Sequence, residues 1–390
     1  MNMNRLRYNF RFIGLVILCI IPVIFTTCKK YVNFKDAILI TGTETDKLAK
    51  FVVESTPSSY SVTATATDRV NQDITVHFEI DTNLVAAYNT EYSANYYTPP
   101  AGSYQISANT SVIGAGTNVS DPVTVSITST TGFIDGRPYL IPVTIKSVDG
   151  PLNVLEASRT IYLKVARVFK YNSIDISNYN FYRTITFANP TTNLNSFTFE
   201  VKCYISSWHT GSPPISRLCV WGPADGSMFN LLRFGEAGSA QNQLQWINSS
   251  GSVFSTTLFS LNRWYSLSCV YDGSQCRLYV DGVLDNKFDA SGQIYSFSLL
   301  ELGMSYSGYQ NSQRFLGRTA EIRLWNRALS RTEIQNGLCG VYSGATGLIA
   351  YWKLNEGSGQ IFNDSTGHGY NMTWPYAVVW NSSADNKCAQ

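Results

Sequence analysis

Residues 263–282 read Arg263-Trp264-Tyr265-Ser266-Leu267-Ser268-Cys269-Val270-Tyr271-Asp272-Gly273-Ser274-Gln275-Cys276-Arg277-Leu278-Tyr279-Val280-Asp281-Gly282. β-branched, aromatic and apolar residues alternate with Ser and Arg, as on strands with one face in a core. Asp-Gly occurs twice, and it is the dipeptide that tight hairpin turns demand, because their central residues need positive φ. The stretch therefore predicts a meander of antiparallel strands. A two-residue turn at Asp272-Gly273 sets Tyr271 opposite Ser274 and Cys269 opposite Cys276. That spacing makes Cys269 and Cys276 candidates for a cross-strand disulfide.

The same pattern continues on both sides. Phe197-Thr198-Phe199-Glu200-Val201 reads as an early core strand and Ala320-Glu321-Ile322-Arg323-Leu324-Trp325 as a late one. Ser330 and Glu333 form an S-x-x-E capping box, which predicts a short helix from Arg331 to about Gly337. Together with Tyr351-Trp352-Lys353-Leu354-Asn355-Glu356-Gly357-Ser358-Gly359 and Asp364-Ser365-Thr366-Gly367-His368-Gly369, these segments resemble the laminin-G-like, concanavalin A-like lectin fold over residues 170–388. The resemblance implies a jelly-roll β-sandwich.

Upstream, residues 37–166 carry alternating runs at Val62-Ala64-Ala66, Ile74–Ile80, Val123–Ile127, Ile141–Ile145 and Ile161–Val165, punctuated by Pro, Gly, Asn and Asp. Leu84 to Tyr92 reads as one short helix. The sum predicts an immunoglobulin-like sandwich, so the fold class is all-β, with two sandwiches in series. Ile80-Asp81-Thr82-Asn83-Leu84-Val85-Ala86-Ala87-Tyr88-Asn89, Ser120–Val125 and Tyr139–Ile145 are similar to an N-terminal domain of unknown function common in Bacteroidetes surface lipoproteins. In that family it precedes glycan-binding or glycan-cleaving modules, which implies a spacer role.

Residues 1–27 stand apart. Arg5, Arg7 and Arg11 precede an apolar run from Phe12 to Phe25, short of the ~20 residues a membrane span needs. This is the layout of a secretory signal. Cys28 directly after Thr26-Thr27 resembles a bacterial lipoprotein site, which implies an acylated Cys28, a tether over 28–36, and a lipid-anchored protein of the outer membrane, on its periplasmic or its outer face. Of the 29 Lys+Arg, three lie in the signal, leaving 26 against 27 Asp+Glu. No basic excess for nucleic acid survives in the mature chain.

After Cys28 the cysteines are Cys203, Cys219, Cys269, Cys276, Cys339 and Cys388, with no zinc-ligand spacing. Lectin-like folds also host glycosidases, which place two carboxylates on one strand face. The second domain has no Glu-x-Asp-x-Glu or Glu-x-Asp-x-x-Glu run, and Glu79-Ile80-Asp81 lies in the other domain. Only His77, His209 and His368 are available for triad chemistry. Binding without catalysis is the expectation, carried by flat aromatic faces and a few polar groups. The candidates are Trp208 in Ser207–Gly211, Trp221 in Trp221–Gly226, and Tyr306, Tyr309 and Arg314 in Ser305–Arg314. Trp246, Trp264, Trp325 and Trp352 read as core. Laminin-G-like relatives often hold calcium. Residues 304–318 lack any acid for it, so a structural calcium would fall near Asp364, where an Asx-turn is the simpler reading. The expected function is carbohydrate binding by a cell-envelope lipoprotein. An adhesion or scaffold protein, or a cryptic glycosidase, are the alternatives.

Overall fold

The computed structural model describes residues 36–178, 181, 183–236, 238–305 and 312–389. The described residues form two β-sandwiches, with two α-helices, α1 (Leu84–Tyr92) and α2 (Arg331–Asn336). Both helices fall where the sequence places them. The α2 capping box is complete, with Glu333 N–H donating to Ser330 Oγ at 3.2 Å and Ser330 N–H to Glu333 Oε2 at 2.8 Å.

The first sandwich packs the strands Thr110–Ile113, Ile74–Ile80, Tyr139–Asp149, Thr160–Asp175 and Leu48–Val53 against two three-stranded sheets. Its core comes from the alternating positions read above, among them Val62, Ile74, Val76, Phe78, Val125, Ile141, Val143 and Leu163. The second sandwich has a six-stranded sheet in the order Thr184–Leu194, Tyr295–Leu302, Ser216–Gly222, Asn230–Phe234, Gln243–Asn248, Gly251–Leu258. Facing it are Val283–Asp289, Gln275–Val280, Trp264–Tyr271, Phe197–Ile205, Gly317–Trp325 and Leu348–Trp352. Trp246, Trp352 and Trp374 are fully buried between these sheets, where each large side chain withdrawn from water contributes roughly 2–3 kcal/mol.

The join is tighter than a linker between 166 and 170. Thr160–Asp175 is one continuous strand. Its first half pairs with Tyr139–Asp149 and, in parallel, Leu48–Val53, and its second half pairs with Val379–Ala389 and the start of Gly317–Trp325. The two sandwiches thus share a strand.

The meander forms as expected at one turn and departs at the other. Val280 pairs with Val283 across Asp281 and Gly282, both at positive φ (49° and 75°). At the first turn Tyr271 pairs with Cys276 and Cys269 with Leu278, so the loop has four residues and the expected register is corrected. The cause is Asp272. Its Oδ1 accepts from Ser274 N–H (2.9 Å), Ser274 Oγ (2.8 Å) and Gln275 N–H (2.8 Å), and its Oδ2 accepts from Arg277. A carboxylate that gathers three local donors outcompetes the two-residue turn. The disulfide expectation falls with the register. Cys269 and Cys276 are buried free thiols, and the bridge that forms is Cys339–Cys388.

Candidate functional site

On the strands of the six-stranded sheet, residues alternate between core and outside. Leu218, Leu232, Phe234, Leu244 and Trp246 point into the sandwich. Arg217, Arg233 and Gln245 therefore point outward, and the pairing sets them side by side, Arg217 opposite Arg233 and Arg233 opposite Gln245. These polar side chains are held in place. Arg217 Nε donates to Gln313 Oε1 at 2.6 Å and its Nη1 to Ser305 Oγ at 2.6 Å. Arg233 Nε donates to Gln245 Oε1 at 2.8 Å, and its Nη2 lies 2.5 Å from Glu236 Oε2. Arg217, Gln245 and Gln313 are buried to within a few percent although they lie on the outer face. Glu301 is on the same face, accepting from Thr184 Oγ1 at 2.5 Å.

Two loops flank this row. Ser305 and Gln313, at either end of residues 306–311, both bond Arg217. Arg314 lies beside them, bridged through its backbone to Arg217, and its Nε is buried without a hydrogen bond. Trp208 is half-buried, its ring 5.7 Å from Phe234. Its loop is pinned by Gln241 Nε2 donating to His209 O at 2.5 Å. The structure thus brings Arg314 beside the row, whereas the Trp208 ring packs against the sandwich core on Phe234. Tyr306 and Tyr309 lie outside the described residues, as does Cys28.

Trp221 is a correction. It is 2% exposed and stacks on Phe199 at 3.9 Å and 11°, so it is core and presents no face to a ligand. Trp246, Trp325 and Trp352 are core as expected, whereas Trp264 is half-buried on the outer face beside Tyr204 and Arg318. Sequence reasoning missed Arg217, Arg233, Gln245 and Gln313. The available signal was an arginine at a strand position inside Ser216-Arg217-Leu218-Cys219-Val220-Trp221 and Asn230-Leu231-Leu232-Arg233-Phe234.

Asp364 does not fit a calcium ion. Its Oδ1 accepts from Tyr351 N–H, Thr366 N–H and Thr366 Oγ1, and its Oδ2 from His368 N–H and Tyr370 N–H, at 2.7–3.2 Å. Five protein donors take the lone pairs that a hard cation would need. No group of three or more His, Cys, Asp or Glu side chains suited to a metal occurs among the described residues. The four free thiols are buried. Burial pushes all four up, Cys276 to about 12.

Residues 180–335 match the profile of the concanavalin A-like lectin/glucanases superfamily, and residues 31–152 match a separate N-terminal domain profile. No match was found among curated proteins. A crystal structure from Bacteroides ovatus ATCC 8483, of a protein proposed to bind carbohydrate, aligns over 89% of this chain and 98% of its own, at 19% identity and a TM-score of 0.59. The SAP-like pentraxin of Limulus polyphemus aligns over 56% of this chain and 94% of its own, at 12% identity and a TM-score of 0.35. The chain therefore joins an N-terminal β-sandwich to a C-terminal domain of the concanavalin A-like, laminin-G-like lectin fold.

Proposed function

We propose that the chain binds carbohydrate without cleaving it, through the outer face of the six-stranded sheet. The observation that carries the reading is the fixed row of Arg217, Arg233, Gln245 and Gln313, with Arg314 beside it. Arg217 holds Ser305 and Gln313, the residues on either side of 306–311, in fixed positions, and sugar recognition needs such fixed polar groups together with a ring for the C–H face. Tyr306 and Tyr309 join the proposal on their Ser, Gly and Gln neighbours in sequence. The carboxylates speak against a retaining glycosidase. Glu301 lies on Tyr295–Leu302 and Glu236 in the loop after Asn230–Phe234, and Ser216–Gly222 runs between those two strands, which sets the strands about 10 Å apart across the sheet. Retaining glycosidases need about 5–5.5 Å. Acylated Cys28 would hold the protein at the outer membrane, where many tethered copies grip a polymer even if each site is weak.

A glycan panel on residues 29–390, with a reducing-end assay on every hit, tests this. The expected result is binding without product, weakened by about 1–3 kcal/mol in Tyr306→Ala or Tyr309→Ala, the scale of a buried apolar side chain. Product formation revives the glycosidase. Silence across the panel favours a protein partner. Cys28→Ala should leave the membrane fraction, and retention there refutes the anchor.

A further inference from the structure

The two sandwiches meet at Gly136. A Cβ built there collides with the backbone of Val341 and Tyr342, and φ is +76°, so only glycine lets the two backbones come this close. Beside the contact lies a cleft of about 400 Å³. Its walls include Asn95, Tyr97 and Arg137 of the first sandwich and Arg327, Asn336 and Tyr342 of the second. The Arg137 guanidinium lies between two rings, 4.6 Å from the centroid of Tyr97 and 4.5 Å from that of Tyr342. Its side chain makes no hydrogen bond or ion pair with any described residue, and its Nε is buried without a partner.

Neighbouring cations are treated differently. Arg167 and Lys353 both reach Asp135, at 3.4 and 3.2 Å, and Arg327 pairs with Glu333 at 2.7 Å. Asp135 stands two residues from Arg137 and is engaged elsewhere. A stacked guanidinium with no acid is a forked donor already ordered, so a ligand that meets it forgoes most of the side-chain entropy cost. Its natural complement is an oxyanion that presents two oxygens side by side, taken through two parallel N–H bonds. The cleft volume suits a small ligand. Tyr97 and Tyr342 remain 41% and 36% exposed, and the amides of Asn95 and Asn336 are at hand for hydroxyls.

We propose that this cleft is a second saccharide site, built by both domains, and that Arg137 selects an anionic sugar, carboxylated or sulfated. It does not depend on the sheet-face reading. The test titrates residues 29–390 with digalacturonate, its methyl ester and N-acetylglucosamine 6-sulfate, reading side-chain amides by NMR in Asn/Gln-labelled protein. Digalacturonate should bind and its ester bind at least about tenfold more weakly, the size of one charge-assisted hydrogen bond. The shifts should fall on Asn95 and Asn336. Arg137→Lys keeps the charge and loses the fork, and should remove most of the difference. Preference for the sulfated sugar over digalacturonate assigns a sulfate ligand, and the reverse a uronate. Equal binding of acid and ester, shifts confined to Gln245 and Gln313, or no saturable binding of either anion would overturn the proposal.

Discussion

Lys202 offers the sharpest test of how this fold holds its charges. It lies on Phe197–Ile205 with Glu200, and both point away from the sandwich core. The opposite strand carries a bulge, because Glu200 pairs with Arg323 and Lys202 with Ala320, leaving Glu321 and Ile322 against Val201. Glu321 takes a φ of 53° there and is fully buried. Lys202 is 6% exposed, among Glu200, Glu321, Arg323, Ser266 and Ser268 and under Leu338. The ring of Tyr171 lies 5.0 Å from its Nζ, and no carboxylate of a described residue lies within 4 Å of it. Burial pushes the ammonium down from 10.5 to about 8, against the opposing pull of Glu321. Below about pH 8 both folded and unfolded chains carry the charge, so the folded state bears the full penalty. Between about 8 and 10.5 only the unfolded chain holds the proton, and stability rises with pH. At ~1.4 kcal/mol per pH unit, the displacement amounts to about 3 kcal/mol. Lys202→Met keeps the stem and removes the charge. It should stabilise the protein by about 2–3 kcal/mol at pH 7, and the gain should shrink towards zero by about pH 10.5. Urea titrations across that range, with the m-value checked for constancy, measure it. A variant less stable at pH 7, or a gain that does not change with pH, would refute the reasoning.

Three further outcomes are expected. Non-reducing peptide mapping should recover Cys339–Cys388 and no Cys269–Cys276 link, with Cys203, Cys219, Cys269 and Cys276 alkylated only after denaturation. Asp272, held down at about 2 by the Ser274, Gln275 and Arg277 donors despite the desolvation that opposes them, contributes stability above its unfolded pKa that is lost as pH falls from about 4 to 2; Asp272→Asn should flatten the acid limb over that window in a circular-dichroism titration. Trp221→Ala should cost about 3–5 kcal/mol in denaturant unfolding, as for a buried Trp, where a surface tryptophan would cost less than about 0.5.

Strand alternation carried most of the fold, because each sandwich buries one face of every strand and the period of two survives in the sequence. The Asp281-Gly282 turn was legible for the same local reason. Asp272-Gly273 was not, since an identical dipeptide also permits the carboxylate to gather Ser274 and Gln275, and the next segment then bonds the loop, Ala290 N–H to Ser274 O and Gly292 N–H to Gly273 O. Tertiary contacts decided that register. Trp221 sat in a loop-like string ending in Pro223 and Gly226, yet it is the last core residue of its strand. Arg217 and Arg233 were overlooked for the opposite reason. An outward arginine on a strand reads as a solvated face, and only the pairing of Ser216–Gly222 with Asn230–Phe234 reveals two guanidiniums in one row.

The shared strand changes what the first sandwich does. A spacer on a flexible linker would leave the lectin-fold domain free to turn. Here the ladder of Thr160–Asp175 passes from one sandwich into the other with one irregularity, between Lys170 and Asn172, so a turn would break backbone hydrogen bonds. The ion pairs are not what fixes the angle. Asp135 is 51% exposed in its contacts with Arg167 and Lys353, and such pairs contribute about 0–1 kcal/mol each. The Gly136 contact is steric and so directional, and Arg137 between Tyr97 and Tyr342 adds two ring contacts of about 0.5–1 kcal/mol each. Cys339–Cys388 then ties the loop that meets Gly136 to the C-terminal strand, which pairs with the shared one. Every element that sets the width of the cleft is thus covalent, hydrogen-bonded or in direct backbone contact. A site whose two walls come from different domains can stay preorganised only under that condition.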